Sequence, residues 1–500
     1  MARPASSGGD HRFSQFCADS VVPTVLAWVA VTVAVVGLAF VCRSDAADPP
    51  PAFIDVTEAV GLKGVSGGPA AWADFDNDGW VDLCAGGEVW RNEAGKKFKK
   101  VAAVAGPAVW GDYDNDGWPD LFCYGTGQLY RNLKGEKFEE VKIVPKLPTE
   151  VSLGAAWGDF NRDGFLDLYV GGYEVWPDKE YPDVILTSDQ GQKFAEAWRQ
   201  SKVYRARGVT AADFDEDGHL DVFVSNYRLQ PNLLWKNDGT GKFADVAKDR
   251  GAQGNEKLGC YGHTIGSAWG DLDNDGHLDL FVGNFSHPPE YQDRSQFLRN
   301  TGAKGGWKFE DKTKTARLRW QESYASPALG DFDNDGRLDL YFTTVYPGDK
   351  SVLYRNKGGW GFEEVAGGGG TAVGETYQAA WADFDNDGSL DLMTGGKLFR
   401  NRGDKGHWLK LRLEGEGMIN RSAIGAQVRL KLDDATLTRQ VEGGTGQGNQ
   451  NELTLHFGLG THAGPVRLEV HWPDGTRQEV ETKADRTVTV RPDPARGRPR

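Results

Sequence analysis

The chain has 500 residues and a mass of 54.7 kDa, too long for one hydrophobic core and sized for two to four domains. Sixty-six glycines without a G-X-Y period exclude collagen, and 56 aromatic residues exclude a disordered polyelectrolyte. A net charge of −15 lacks the basic footprint that phosphate binding needs, which argues against a nucleic-acid partner.

Residues 1–20, with Arg3 and Arg12, read as a cytoplasmic or signal n-region. Val21 to Cys42 is the one long apolar run, and its 22 residues would span ~33 Å as a helix, enough for a bilayer core of about 30 Å. It reads as a signal-peptide h-region or a retained membrane anchor, and either places the rest of the chain outside the cytoplasm. A linker follows over 43–52, with Ser44-Asp45-Ala46 resembling a cleavage site and Pro49-Pro50-Pro51 a stiff spacer. Beyond the export segment stand Cys84, Cys123 and Cys260, an odd number, read as buried small side chains rather than a disulfide framework.

Between residues 74 and 392 one element recurs seven times, as in DFDNDGWVDL at 74–83 and DFDNDGSLDL at 383–392. Acidic side chains fall at positions 1, 3, 5 and 9 and Gly at position 6. The candidate ligands are Asp74, Asp76, Asp78 and Asp82; Asp112, Asp114, Asp116 and Asp120; Asp159, Asn161, Asp163 and Asp167; Asp213, Asp215, Asp217 and Asp221; Asp271, Asp273, Asp275 and Asp279; Asp331, Asp333, Asp335 and Asp339; Asp383, Asp385, Asp387 and Asp391. Alternating carboxylates on a tight turn make a cage for a hard cation, and the flexible geometry suits calcium better than magnesium. Position 12, an acidic closing ligand in an EF-hand, is here Ala85, Cys123, Val170, Val224, Val282, Phe342 or Thr394. Position 9 must then close the site, and the metal pins a β-hairpin. Seven divalent ions would nearly cancel the net charge. The third loop, with Asn161 and Arg162, is expected to be the weakest.

Each loop follows a small-residue strand such as Ala70-Ala71-Trp72-Ala73 and precedes an apolar one such as Leu280-Phe281-Val282. An apolar-aromatic-Arg-Asn segment comes next, as in Leu129-Tyr130-Arg131-Asn132, then a strand opening with Phe. Four short strands per repeat is the composition of a propeller blade. Phe53-Ile54-Asp55-Val56 supplies an extra Phe strand before the first loop, a staggered start that could close the first blade on the last. The Ala/Gly strands are expected near the crowded axis, and Trp72, Trp110, Trp157, Trp269 and Trp381, at one repeated position, between blades. All seven loops should share one rim, leaving the opposite face and the segments 177–181 and 286–291 for partners.

These residues resemble the FG-GAP/VCBS repeat family, whose blades also form integrin α-subunit heads. The resemblance covers about Phe53 to Asn401 and implies a seven-bladed, calcium-binding β-propeller over 53–403 that works in adhesion or recognition.

From His407 the period becomes two: Leu409, Leu411 and Leu413 interleave with Lys410, Arg412 and Glu414. That predicts half-buried antiparallel strands in a separate small domain over 405–492. Asn420 to Ala426, Phe457-Gly458-Leu459-Gly460 and Trp472-Pro473-Asp474-Gly475 resemble the ASPIC/UnbV module. The chain departs from that pattern at Ser422-Ala423, where Asp-Gly is common, and at Gly446 to Asn451, a polar stretch where an aromatic is usual. Residues 493–500 read as a disordered tail.

The fold class expected is therefore all-β: a seven-bladed β-propeller with calcium loops, followed by a small antiparallel β-sandwich-like domain. The histidines form no HExxH or zinc spacing, and there is no GxSxG elbow. Cys260 and His263, three apart on a β-pattern, would face opposite sides and make no catalytic pair. The function expected is a non-enzymatic, exported calcium scaffold facing an extracellular or envelope protein or a glycan. A lectin is the alternative, and a polysaccharide-degrading enzyme a more distant one.

Overall fold

A computed structural model describes residues 52–494 except 178, 256–260, 287–292, 404–405 and 433–434. The apolar run 21–42, Cys260, most of the 286–291 segment and the end of the tail lie outside the described residues. Among the described residues no helix is long and apolar enough to cross a membrane.

Seven four-stranded antiparallel sheets follow one another along the chain. Blade 1 comprises Ala70–Ala73, Asp82–Ala85, Glu88–Asn92 and Phe98–Ala103; the innermost strands of blades 2 to 7 are Val109–Gly111, Ala155–Gly158, Ala206–Ala212, His263–Gly270, Tyr324–Gly330 and Ala380–Ala382. Each innermost strand touches that of the next blade, and the seventh touches the first, so the array is a closed ring. The outer strand of blade 7 is Phe53–Asp55, from the start of the described chain, paired antiparallel with Lys397–Asn401 in the register Phe53↔Asn401. The staggered Phe strand thus clasps the ring.

Small residues line the axis because seven strands converge there, and Ala70, Ala71, Ala155, Ala156, Ala379 and Ala380 are all buried. The repeated tryptophans fill the wedges between blades. Trp110 stacks on Phe75 of the preceding blade at 5.8 Å and 8°, and its Nε1 donates to the Ala71 carbonyl at 3.1 Å. Trp157 donates likewise to Val109 at 3.1 Å. Burying a Trp removes ~200 Å² from water, a gross gain of ~5 kcal/mol before ordering costs.

A second inter-blade device is the Asn that ends the third strand. Asn92, Asn132, Asn237, Asn300, Asn356 and Asn401 are buried, and each Nδ2 donates to the position-2 carbonyl of the preceding blade's acidic loop. Blade 3 has Ser188 there instead. Cys84 and Cys123 are free and buried, in accord with the sequence reading.

After the ring, Leu455–Gly460, His407–Leu413 and Arg486–Val490 form one sheet, and Ala435–Gln440, Gln427–Leu432, Pro465–His471 and Arg477–Lys483 form another. The strands are antiparallel except that Arg486–Val490 runs parallel to His407–Leu413, because the chain visits the second sheet before returning to the first. These sheets are distinct from the blades but not free-standing. Pro51–Arg500 is one compact unit, and Leu409, Leu411 and Phe457 belong to the same continuous apolar core as Tyr124 and Trp157 of the ring.

Candidate metal centres

Every acidic loop joins the innermost strand of its blade to the second strand, so all seven lie on one face. The loop is built the same way each time. Position 4 adopts the left-handed region, with φ of 53 to 59°, and position 6 follows with φ of 85 to 96°. Asn tolerates the first conformation, whereas the second demands Gly. This turns the backbone amides of positions 5 and 6 onto the two oxygens of position 1, as in Asp331, which accepts from Asp335 at 3.0 Å and Gly336 at 2.9 Å. Position 9 is at most 1% exposed, and in five loops it accepts from the position-2 amide and the third-strand Asn amide, as Asp339 does from Phe332 (3.1 Å) and Asn356 (2.7 Å); in the third loop Ser188 replaces the Asn, and in the fourth Asp221 Oδ2 is buried without a partner.

Position 3 carries the signal that a cation fits. One oxygen is held by the basic residue of the third strand: Arg91 on Asp76 at 2.8 Å, Lys236 on Asp215, and Arg299, Arg355 and Arg400 on Asp273, Asp333 and Asp385 at 2.6 Å each. The other oxygen, Oδ1, of each of these five aspartates is buried without a hydrogen-bond partner. A buried, orphaned carboxylate oxygen costs free energy unless something outside the chain meets it. Oxygens of Asp112, Asp114 and Asp120, of Asp213, Asp215 and Asp221, of Asp271, Asp273 and Asp279, and of Asp331, Asp333 and Asp339 lie within 4.8 Å of one another. Ligands on one calcium at ~2.4 Å are no farther apart than that. The first loop instead gathers Asp74, Asp76 and Asp78.

Position 5 also serves the loop backbone. Asp116, Asp217, Asp275 and Asp335 each accept the amide of position 7, and Arg131, Lys236, Arg299 and Arg337 pair with them from outside. In the third loop Asn161 spends its amide on its own neighbours, donating to Asp163 Oδ2 at 3.1 Å and accepting from its backbone at 3.0 Å.

Electrostatics in the absence of a cation favour protonation. Burial raises Asp82 to about 9, Asp271 to about 8 and Asp112, Asp159, Asp213 and Asp331 to about 7, and neighbouring carboxylates add to the rise. Asp120, Asp167, Asp221, Asp279, Asp339 and Asp391 stand well above the carboxylate range for the same reason. Divalent ions would supply the charge these groups lack.

The loop face is covered. Lys410, on the polar side of a strand whose alternation predicts half-burial, is 3% exposed and bonds Asp383 Oδ2 at 3.2 Å and Glu452 Oε2 at 3.3 Å. Arg412 bonds Asp74 Oδ2 at 2.5 Å, the Thr438 amide bonds Asp271 at 3.0 Å, and the Gly458 amide bonds Asp331 at 3.1 Å. Gly443 to Glu452 enters the centre of the ring. Gly446 donates to Ser267 (2.8 Å), Asn449 Oδ1 accepts from Ala70 (3.0 Å), and Gln450 exchanges bonds with both backbone groups of Trp110 (2.7 and 3.0 Å). The polar Gly446–Asn451 stretch is a plug that satisfies backbone groups around the axis, a role the sequence did not suggest. A cleft of about 380 Å³ remains beside loops 1 and 2, but Arg412, Arg421 and Arg491 in its wall are paired with Asp74 and Glu414.

The segment 177–181 does not present an aromatic to solvent. Lys179–Glu180 pairs with Glu174–Val175, and Tyr181 is buried with its hydroxyl on Glu150.

A closed ring of four-stranded sheets, each with an acidic hairpin loop on the same face, defines a β-propeller of acidic-loop repeats. Among known protein families, the FG-GAP-like repeat matches residues 74–123, 112–170, 213–282, 271–342 and 331–394, more than half of the chain, and ASPIC and UnbV matches 417–497. The chain belongs to the FG-GAP-like repeat family. It is similar to cartilage acidic protein 1 of Xenopus tropicalis, 30% identical over a 316-residue alignment that covers 58% of this chain and 45% of that protein. The Mus musculus protein is 29% identical over a 293-residue alignment that covers 55% of this chain and 43% of its own. The chain thus matches less than half the length of each relative. A solved Agrocybe aegerita lectin, described by its recognition of non-reducing terminal N-acetylglucosamine, is 15% identical, with 68% of this chain and 88% of that chain covered and a TM-score of 0.40.

Proposed function

We propose that this protein is an exported, non-catalytic recognition scaffold whose acidic loops bind calcium. The observation that carries the reading is the set of five buried, unpartnered position-3 oxygens, each beside carboxylates from the same loop. In the second, fourth, fifth and sixth loops the first, third and ninth side chains would hold the ion, and in the first loop the first, third and fifth. The ion would add a link between the innermost strand and the second strand of every blade. The third-strand Arg or Lys then orients the position-3 carboxylate rather than neutralising the whole loop.

Calcium would also join the ring to the C-terminal sheets, since those sheets bond the first-position aspartates directly. That arrangement makes the loop face an internal joint, not a docking surface, and leaves the opposite face for partners. The apolar run 21–42 and the similarity to relatives named for cartilage, an extracellular tissue, support a location outside the cytoplasm. Elemental analysis of the purified chain tests the reading. About seven calcium ions per chain are expected under the rule of one loop, one ion, and about two or fewer would overturn it.

A further inference from the structure

The innermost strands begin at the end of the ring opposite the acidic loops, and there one arginine, Arg207, stands among aromatic rings. Arg207 is the extra residue of a β-bulge, between the pairs Ala206↔Asn226 and Gly208↔Ser225, and a bulge re-aims the side chain it carries. Its guanidinium lies 4.9 Å from the ring centre of Tyr377, 5.1 Å from Tyr227 and 5.6 Å from Tyr173. It makes no ion pair among the described residues, and its Nε is buried without a hydrogen-bond partner. The nearby carboxylate, Glu174, is already held by Arg205 at 2.5 Å and by Arg228.

The aromatics form a rim. Tyr173 and Tyr227 are 6.4 Å apart, Tyr227 and Phe285 6.2 Å, Phe285 and Tyr346 5.6 Å, and they come from four successive blades. Tyr173, Tyr227 and Phe285 each stand six residues after the position-9 Asp, so the rim is a repeat feature of the longer blades. The plug closes the channel beneath it: a side chain at Gly208, next to Arg207, would meet the Gly446 carbonyl at 2.6 Å. The aromatic walls above that floor make a shallow cup, in which Arg207 has no ion pair among the described residues.

We infer that this cup binds the carboxylate of an acidic sugar, a hexuronate unit of a polysaccharide. A carboxylate can take two guanidinium N–H groups at once, and the apolar face of a pyranose suits a tyrosine ring. Burial keeps the Tyr173 and Tyr227 phenols protonated and able to donate to sugar hydroxyls. The site shares no residue with the acidic loops.

Calorimetry with the full chain in calcium tests the inference, with trigalacturonate and its carboxyl-reduced form as probes. The acid should bind at least about tenfold more tightly than the reduced form, a ratio worth about 1.4 kcal/mol. Arg207→Gln and Tyr377→Ala should each weaken it at least tenfold while leaving calcium content unchanged. If Arg207→Gln alters the melting temperature, the half-buried Tyr377 decides. Equal binding of the two forms, binding that survives both substitutions, or no heat with millimolar acid would overturn the site. So would tighter binding of a peptide through its terminal carboxylate. Calcium content measured on the same sample separates this outcome from failure of the calcium reading.

Discussion

Replacing Lys410 with Met tests whether the C-terminal sheets are fastened to the acidic loops by charge. The ammonium is 3% exposed and bonds Asp383 at 3.2 Å, Glu452 at 3.3 Å and the Asn386 side-chain oxygen at 3.4 Å. Met fills a similar volume, so the loss is electrostatic rather than a cavity. Removing one member of a buried ion pair typically costs about 3–5 kcal/mol, because the remaining charge is left without a partner. Two carboxylates are stranded here, but burial has already raised Glu452 to about 7, so it can take up a proton. The cost should therefore fall at the lower end, about 3 kcal/mol. Urea unfolding followed by tryptophan fluorescence, in calcium near neutral pH, measures it. Glu452→Gln added to the Met variant should recover about 1–2 kcal/mol, since it removes one stranded charge and keeps the Asp383 backbone amide bond. A loss below about 1 kcal/mol, or strictly additive losses for the pair, would refute the coupling.

Metal-free protein should lose stability as pH rises from about 4 to 8. Asp112, Asp159, Asp213 and Asp331 hold their protons to about 7 and Asp271 to about 8 when folded, but lose them near 3.8 when unfolded, so their contribution is complete below the unfolded value and disappears through the folded one. Calcium binds the deprotonated form, so the melting temperature should rise with pH in its presence; parallel slopes in dialysed and calcium-loaded samples would contradict this. Asn356→Ala removes bonds to the Leu272 (2.8 Å) and Leu338 (3.0 Å) carbonyls and the Gly358 amide (2.9 Å), a loss of about 3 kcal/mol at ~1 kcal/mol each. Ser188→Ala, at the equivalent place in blade 3, loses one bond to Gly191 and should cost about 1 kcal/mol; equal costs in denaturant titrations would count against the inter-blade clamp. The pair Asn161→Asp and Thr187→Arg gives the third loop the position-3 carboxylate and basic partner of its neighbours. Calcium titration should then show that site strengthened by about tenfold, and Asn161→Asp alone should fall short because its carboxylate lacks the basic partner.

The parts of the fold that were legible are those set by local chemistry. Asp at alternate positions with Gly at the sixth admits few backbone paths, the staggered Phe53 strand requires a partner at the far end of the array, and small-residue strands fit only where strands converge. The environment of a polar face was not legible in the same way. Lys410 and Arg412 alternate with leucines as they would on a solvated strand, and alternation records which side is polar without saying whether water or a row of aspartates faces it. Gly446 to Asn451 was equally opaque. Glycine and amide side chains suit an exposed turn, and they suit a plug that must donate to and accept from the converging backbones of blades 1, 2, 5 and 7. The third-strand Arg was visible as a repeated residue, but only the orphaned Oδ1 atoms show that it holds one oxygen and leaves the other for a cation.

Departures from the repeat carry the remaining information, because in both loops concerned the departing residue bonds the C-terminal sheets. In five loops the position-4 Asn donates to the Gly carbonyl of the next loop: Asn77 to Gly117 at 2.8 Å, Asn115 to Gly164 at 2.8 Å, Asn274 to Gly336 at 3.2 Å, Asn334 to Gly388 at 2.9 Å and Asn386 to Gly79 at 2.9 Å. The last of these closes the chain around the ring. The two loops without Asn are the third and fourth, and both turn toward the C-terminal sheets. Arg162 donates to the Asp474 carbonyl at 2.5 Å, and Glu216 pairs with Arg429 at 2.7 Å while bridging to His277 of the next loop at 2.5 Å. A random loss of the motif would leave these loops unlinked to anything. Instead, Arg162 exchanges the loop-to-loop bond for one to the C-terminal sheets, and Glu216 keeps a link to the next loop while adding one to those sheets, so the irregular loops join the regular ones in seating the C-terminal sheets on the ring.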